Sequence, residues 1–480
     1  LVYIMRQEKQ GIADNLLLSL PHRNLGLSGR LAYNYDYKYF AEFNFGYNGS
    51  ERFSKEHRWG FFPSAGLAWM LSNESFFKPL KYVITQLKLK GTYGLVGNDQ
   101  IGAATDRFYY LSDVNINDGK NVKWGSWMDY NPGSYNVNRY ANQNIGWETA
   151  YKTNLGIEIS LNNGLSMITD FFRERRENIL IDRIISGTMG IIPSVKANLG
   201  VGSGQGVDIE LNYEKIINQD IYITGRGTFT YATNKVLEWE EPDYTDTPWM
   251  SKVGQNIYQK RGYLAERLFI DEREVANSPI QFGQVMAGDI KYRDINDDGK
   301  ISSLDQVPIG FPTVPEINYG FGLTAGFKGI DASFFFQGSA RQSFWLDYNR
   351  ISPFVDPDDD SMIGNNAVIK PIVDSYWSEN NRDPYALWPR LSNYEIENNR
   401  QPSTFYMQDG SFLRLKTVEL GYTLSGRLSK KIYLSNLRIY LSGTNLFRWS
   451  SFKFWDPEMG GNGLGYPIQR VINIGVNIGI

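Results

Sequence analysis

Residues 294–305, Asp294-Ile295-Asn296-Asp297-Asp298-Gly299-Lys300-Ile301-Ser302-Ser303-Leu304-Asp305, place oxygen-bearing side chains at the spacing of a calcium loop. Asp294, Asn296 and Asp298 fall at the first, third and fifth positions, Gly299 provides the turn, and the Lys300 carbonyl and Asp305 complete the donor set. Asp305 stands where a longer Glu usually supplies the bidentate ligand, and no flanking helices are evident, so a solvated acidic turn competes with Ca²⁺. A bound ion would stiffen the loop without doing chemistry. A second cluster, Asp356, Asp358, Asp359 and Asp360 beside Pro353 and Pro357, reads as a solvated loop.

Aromatic side chains form the other candidate site. Trp124, Trp127, Tyr130 and Tyr135 share one long connection, and Trp249, Trp377, Trp388, Trp449 and Trp455 lie in others. Indole and phenol rings in such places stack on sugars or seat a partner, and the same rings also make loop cores and interface girdles. Catalysis has little to work with. There is no Cys, the only histidines are His22 and His57, and no nucleophile, acid and base constellation is visible.

The elements that would position these residues are strands. From Val471 to Ile480 the even positions Ile472, Ile474, Val476, Ile478 and Ile480 are hydrocarbon, and Asn473, Gly475, Asn477 and Gly479 alternate with them. An unguarded apolar edge invites aggregation; pairing it within a closed barrel, apolar face to lipid and Asn/Gly face to a polar lumen, removes the edge. In 147–161 the same split puts Leu155, Ile157 and Ile159 on one face and Lys152, Asn154 and Glu158 on the other. A lipid-facing Glu is costly near the midplane, so the second set belongs inside.

Connections alternate between short and long. Tight turns at Asp36-Tyr37, Asn162-Asn163-Gly164, Asn218-Gln219 and Lys328-Gly329 join paired segments, whereas 97–146, 182–198, 237–314, 346–409 and 448–466 are long and irregular. Loops of that length count against an ordinary domain, but here they fall on one side, as outside loops and periplasmic turns do in an outer-membrane barrel. Segments of about 13 residues tilted about 40° climb roughly 33 Å, enough to cross an apolar band of about 25 Å. About fourteen strands are expected. Since the last should end in the periplasm, the first runs outward, which implies an even number of strands upstream of Leu1.

Composition agrees. Aromatics make up 15% of 480 residues, with 47 Gly, and the mean hydropathy is −0.39. No apolar run approaches the roughly 18 residues a membrane helix needs. A net charge of −3 offers no basic footprint for nucleic acid.

Several stretches, in order, carry a family resemblance. Gly46-Tyr47-Asn48-Gly49-Ser50 to Phe53 with Trp59-Gly60-Phe61-Phe62-Pro63-Ser64, then Gly94-Leu95-Val96-Gly97-Asn98-Asp99-Gln100-Ile101-Gly102, resemble the SusC/RagA family of TonB-dependent outer-membrane transporters of Bacteroidetes. The resemblance continues at Asn144-Ile145-Gly146-Trp147-Glu148-Thr149, Gly288-Asp289-Ile290-Lys291-Tyr292-Arg293-Asp294, Phe412-Leu413-Arg414-Leu415-Lys416, Ser442-Gly443-Thr444-Asn445-Leu446-Phe447 and Asp456-Pro457-Glu458. It implies an all-β, antiparallel transmembrane barrel of roughly 22 strands, of which residues 1–480 supply about fourteen C-terminal ones. The plug, the TonB-contacting segment and the first strands are expected outside these residues. Ile480 departs from the family's usual terminal aromatic.

The resemblance also implies the function: import of an oligosaccharide or peptide across the bacterial outer membrane, under a SusD-like surface lipoprotein lid and driven by TonB through the N-terminal part. The long loops, rich in Trp, Tyr and Pro, are expected to seat that lipoprotein. A SusC-like barrel with a non-transporting structural or surface-binding role is the alternative; a soluble calcium-dependent glycan-binding protein is undercut by the one-sided loops.

Overall fold

The computed structural model describes residues 1–9, 19–101, 108–118, 123–130, 134–191, 194–218, 220–354, 367–424 and 433–479. Fourteen strands form one antiparallel sheet in sequence order. They are β1 Val2–Glu8, β2 His22–Tyr35, β3 Tyr39–Ser50, β4 Trp59–Met70, β5 Ile84–Asn98, β6 Glu148–Leu161 and β7 Leu165–Asp182, followed by β8 Lys196–Asn218, β9 Ile221–Glu238, β10 Ile317–Phe327, β11 Ile330–Ala340, β12 Phe412–Thr423, β13 Asn436–Ser450 and β14 Val471–Gly479. Each strand pairs with its sequence neighbour, and β1 and β14 are the two edges of the sheet. No helix among the described residues is long and apolar enough to cross a membrane, which says nothing of strands that cross.

The register lays the expected faces out as rows. Leu420 of β12 pairs Leu441 of β13, which pairs Ile474 of β14. All three are exposed, Ile474 at 80%, an arrangement that suits only a bilayer on that side. One residue away, Glu419, Ser442 and Asn473 form the polar row. Ile480 and Gln219 of the expected strand end and turn lie outside the described residues, as does the acidic cluster at Asp356, Asp358, Asp359 and Asp360.

At one end the connections are minimal. Asp36 and Tyr37 take positive φ of 52° and 49°, and Lys328 and Gly329 of 49° and 85°, the mirror-image turn whose twist matches a hairpin. At the other end β7, β8 and β9 are the longest strands, with 18, 23 and 18 residues. A tilted strand the length of β8 climbs roughly 55–60 Å, about twice the apolar band. Its surplus lies at the long-loop end, where β9 continues to Glu238 past its last pairing with β10 at Tyr231.

The long connections are not structureless. Residues 99–147 include a hairpin, Asp113–Asp118 with Ser134–Arg139. Residues 239–316 and 341–411 contribute short ladders, Ala265–Leu268 with Ile290–Tyr292 and Ser343–Trp345 with Met407–Asp409, and a helix Glu272–Ala276 capped by Asp271, and residues 451–470 a single helical turn, Pro457–Met459. These three loops bury one common core containing Leu268, Ile290, Tyr292, Phe344, Tyr348, Trp388, Tyr406 and Phe452. Ordering a residue costs about 1–2 kcal/mol and burying a large apolar side chain returns roughly 2–3 kcal/mol. Loops this long therefore need a core this dense to hold one shape.

Candidate functional site: a charged inner wall beneath a packed loop cap

On the polar face of the sheet, charges pair across strands. Lys88 and Lys90 of β5 meet Glu158 of β6 at 3.4 Å, Lys90 also meets Asp170 of β7 at 3.1 Å, and Lys152 meets Glu174 at 3.4 Å. Arg176 binds Glu174 at 2.7 Å and Glu148 at 3.0 Å. On the far side Arg438 of β13 bridges Asp331 of β11 and Glu419 of β12. Small side chains stand between these pairs. Ala32, Ser64, Gly66, Ala68 and Gly94 line a concavity of about 650 Å³ with Arg30, Glu42 and the lysines at its rim. Such a wall offers neutralised charge and open volume, which suits passage or packing of a polar body rather than catalysis.

The cap above it is fastened by two buried ionic knots. Asp289, fully buried, accepts bonds from Arg390 Nε at 2.8 Å and from Asn399 Nδ2 at 2.9 Å, so two loops about a hundred residues apart in sequence meet at one carboxylate. Arg414, on the inner face of β12 and also buried, donates to both oxygens of Asp456 at 2.8 and 2.9 Å and to Glu458 at 2.5 Å. Two of the sequence motifs, around Arg414 and at Asp456-Pro457-Glu458, are thus the two halves of one latch. Burial pushes the Tyr292 and Tyr406 hydroxyls well above the ordinary phenol range.

The acidic loop is closed by its own carboxylates. Asp305, fully buried, accepts from the N–H groups of Ile295 at 2.8 Å and Ser302 at 2.7 Å, and Asp294 Oδ2 accepts from Gly299 N–H at 2.8 Å. Asn296 and Asp298 accept from Asp298 N–H and Lys300 N–H. Asp305 therefore acts as an internal clasp rather than as the free ligand its position suggested. Among the described residues no three acidic or imidazole side chains converge as a metal centre. Asp294 Oδ1 is the one buried oxygen of the loop without a hydrogen-bond partner.

The candidate aromatics divide. Trp124 and Tyr130 pair through reciprocal backbone bonds of 2.8 and 3.1 Å and expose their rings with Trp127, which is 86% accessible. Trp249 is partly buried and donates its indole N–H to the Leu304 carbonyl at 2.7 Å, tying its turn to the acidic loop. Trp377 and Trp388 do not present faces to any ligand. They are 5% and 2% exposed, and Trp388 stacks on Tyr348 at 5.7 Å. Their expected contact role is corrected to core packing. Arg414, Asp456 and Asp289 were missed as fasteners because their pairing depends on which loops meet, which no local spacing records.

A profile described as "TonB dependent receptor-like, beta-barrel" matches residues 14–446. The chain belongs to this family. Its sheet is accordingly an outer-membrane barrel wall, with the long loops outside the cell and the short turns in the periplasm. The chain is 27% identical to TonB-dependent receptor P26 of Formosa agariphila, over 97% of its own length and 48% of that relative. It is 25% identical to TonB-dependent receptor SusC of Bacteroides thetaiotaomicron, over 94% of its own length and 43% of SusC. A solved structure of the RagAB peptide transporter shares the fold, with a TM-score of 0.71 at 22% identity over 98% of this chain and 49% of that one. The chain spans about half the length of the curated relatives it matches.

Proposed function

We propose that this barrel belongs to a SusC-like importer that brings oligosaccharides or peptides across the outer membrane, beneath a SusD-like surface lipoprotein and powered through TonB. The observation that carries this reading is the pairing of a polar, ion-paired inner wall with a packed loop cap at its outer mouth. Cargo must be held at that mouth and passed along a wall that neither repels it nor traps it with unpaired charge. Likeness to SusC and to the RagAB fold supports the same reading. The loops are ordered by burial against one another, so the lid's seat is the outward apolar surface left over, at residues such as Ile280, Tyr385 and Tyr394.

Calcium at residues 294–305 is part of the proposal on a narrower donor set, Asp294, Asn296, Asp298 and the Lys300 carbonyl. Asp305 clasps the loop from within.

Uptake of a labelled oligosaccharide or peptide mixture tests the main reading. Cells carrying the full-length protein accumulate label, and collapse of the proton-motive force or removal of TonB abolishes it. A barrel that binds label equally with and without energy, and that purifies in mild detergent without a lipoprotein, fits the structural alternative instead.

A further inference from the structure

We propose that the crevice at the extracellular end of β9 binds an acidic sugar residue. Beyond Tyr231, β9 no longer has β10 beside it, and residues 254–257 take that place. Gly254 N–H donates to the Val236 carbonyl at 2.8 Å, Val236 N–H to the Gln255 carbonyl at 2.9 Å, and Ile257 N–H to Asn234 Oδ1 at 2.8 Å. Between this segment and Trp239 opens a cavity of about 350 Å³ lined by Trp239, Lys252, Gln255, Ile257, Arg261 and Pro308 among others, with no carboxylate in its lining. That volume lies at the small end of ligand pockets, enough for one or two sugar rings.

Two cations and no carboxylate line the cavity, so its wall carries an excess of positive charge. Lys252 Nζ lies 5.7 Å over the Trp239 ring and makes no ion pair among the described residues. Arg261 donates to the carbonyls of Trp249 at 2.6 Å, Gln306 at 2.8 Å and Ser251 at 3.4 Å, so it is fixed in place by neutral groups. Burial pushes its guanidinium below the ordinary value, and nearby Glu241 offsets that only in part. Glu241, the nearby acid, is engaged by Ser251 Oγ at 2.7 Å and Lys252 N–H at 2.6 Å.

These groups sort a ligand by chemistry. An indole edge and face receive the C–H surface of a pyranose ring, the Gln255 carboxamide serves hydroxyls, and Lys252 with Arg261 attracts a ring carboxylate. A neutral sugar leaves Lys252 without an ion partner and adds no anion beside Arg261. A peptide carboxylate answers the cations but not the ring surface. The site stands outside the membrane, at the rim rather than on the inner wall. It deepens the import reading by naming a cargo class and rests on that reading only for its use in the cell.

Calorimetric titration of the full-length protein in detergent, with trigalacturonate, maltotriose and triglutamate as probes, decides the matter. Trigalacturonate should bind at least tenfold more tightly than either of the others. Lys252→Gln should weaken it about tenfold, and Lys215→Gln, on the opposite end of β8, should not. Equal affinity for maltotriose, equal affinity for triglutamate, or indifference to Lys252→Gln overturns the assignment. The comparison among probes on the unaltered protein needs no variant to fold. Because binding is read without transport, a negative result here leaves the import reading standing, and failed uptake leaves this site standing.

Discussion

Arg438 of β13 and Asp331 of β11 sit two strands apart, and the bond between Arg438 Nε and Asp331 Oδ1, 3.2 Å long, passes over Gly421 of the strand between them. A Cβ at Gly421 would stand 2.5 Å from Arg438 Nη2 and 2.7 Å from Asp331 Oδ1. The same device recurs across the barrel wall. Lys90 of β5 reaches Asp170 of β7 over Gly156 of β6, where a Cβ would meet Lys90 Cε at 2.1 Å. Glycine on the lumen face is therefore the gap through which charges two strands apart find each other.

Gly421→Val is expected to displace the Arg438 guanidinium and destabilise the barrel by about 1–2 kcal/mol, the scale of a partly exposed charged hydrogen bond. Thermal unfolding in detergent reads the loss. Val at the outward-facing position Leu420 should change it far less, and equal effects at both positions would remove Gly421's special role.

Arg414→Ala should free the last extracellular loop. The change leaves Asp456 with only Arg448, 3.9 Å away, and Glu458 with no ion partner among the described residues, next to a packed core, a loss of about 2–3 kcal/mol for partly buried charged hydrogen bonds. Limited proteolysis is expected to cut between Ser451 and Tyr466 in the variant and to spare the unaltered protein, while the strands stay protected. Unchanged cleavage would show that the apolar packing of Phe452 and Trp455 holds the loop alone.

The strands were legible because lipid and lumen impose opposite demands on alternate residues, so Ile474 and Asn473 carry their environments in their chemistry. Turn length likewise showed which end was which. The cap was not legible. Asp289, Arg390 and Asn399 meet across about a hundred residues, and a tryptophan that packs a core, such as Trp388, is the same letter as one that stands free, such as Trp127. Asp305 shows the limit of motif spacing: its position matches a ligand, but its buried carboxylate accepts from the Ile295 and Ser302 N–H groups instead.

Acid should loosen the cap at Glu274. Burial alone raises the pKa of this carboxyl, but Arg267, the Ile270 N–H and Lys291 outweigh it and hold the group below the ordinary value of 4.5. A carboxyl depressed in the folded state contributes stability that is present above its unfolded pKa and disappears as pH falls through the folded one. Amide exchange in Ala265–Leu268 and Glu272–Ala276 is therefore expected to be flat from pH 7 to about 5, after correction for intrinsic rates, and to accelerate below about pH 4. Glu274→Gln should bring the fast exchange to neutral pH, and an acid step that survives this substitution would have to arise elsewhere.

Calcium should stabilise the cap modestly, through Asp294. One of its oxygens is tied to Gly299 N–H and the other, Oδ1, is buried without a donor, a costly state that a cation relieves. Asp305 stays with its N–H partners, which lowers the ligand charge and places the site among weak extracellular ones, with a Kd of roughly 0.1–1 mM. At about 5 mM calcium, binding of that strength adds about 1–2 kcal/mol to unfolding of the cap. Differential scanning calorimetry with calcium, with magnesium and with chelator reads it: unfolding of the cap should move to higher temperature with calcium only, and Asp294→Asn should erase the rise. A transition that ignores calcium in the unaltered protein, with residues 294–305 ordered throughout, means the carboxylates serve only as clasps for the turn.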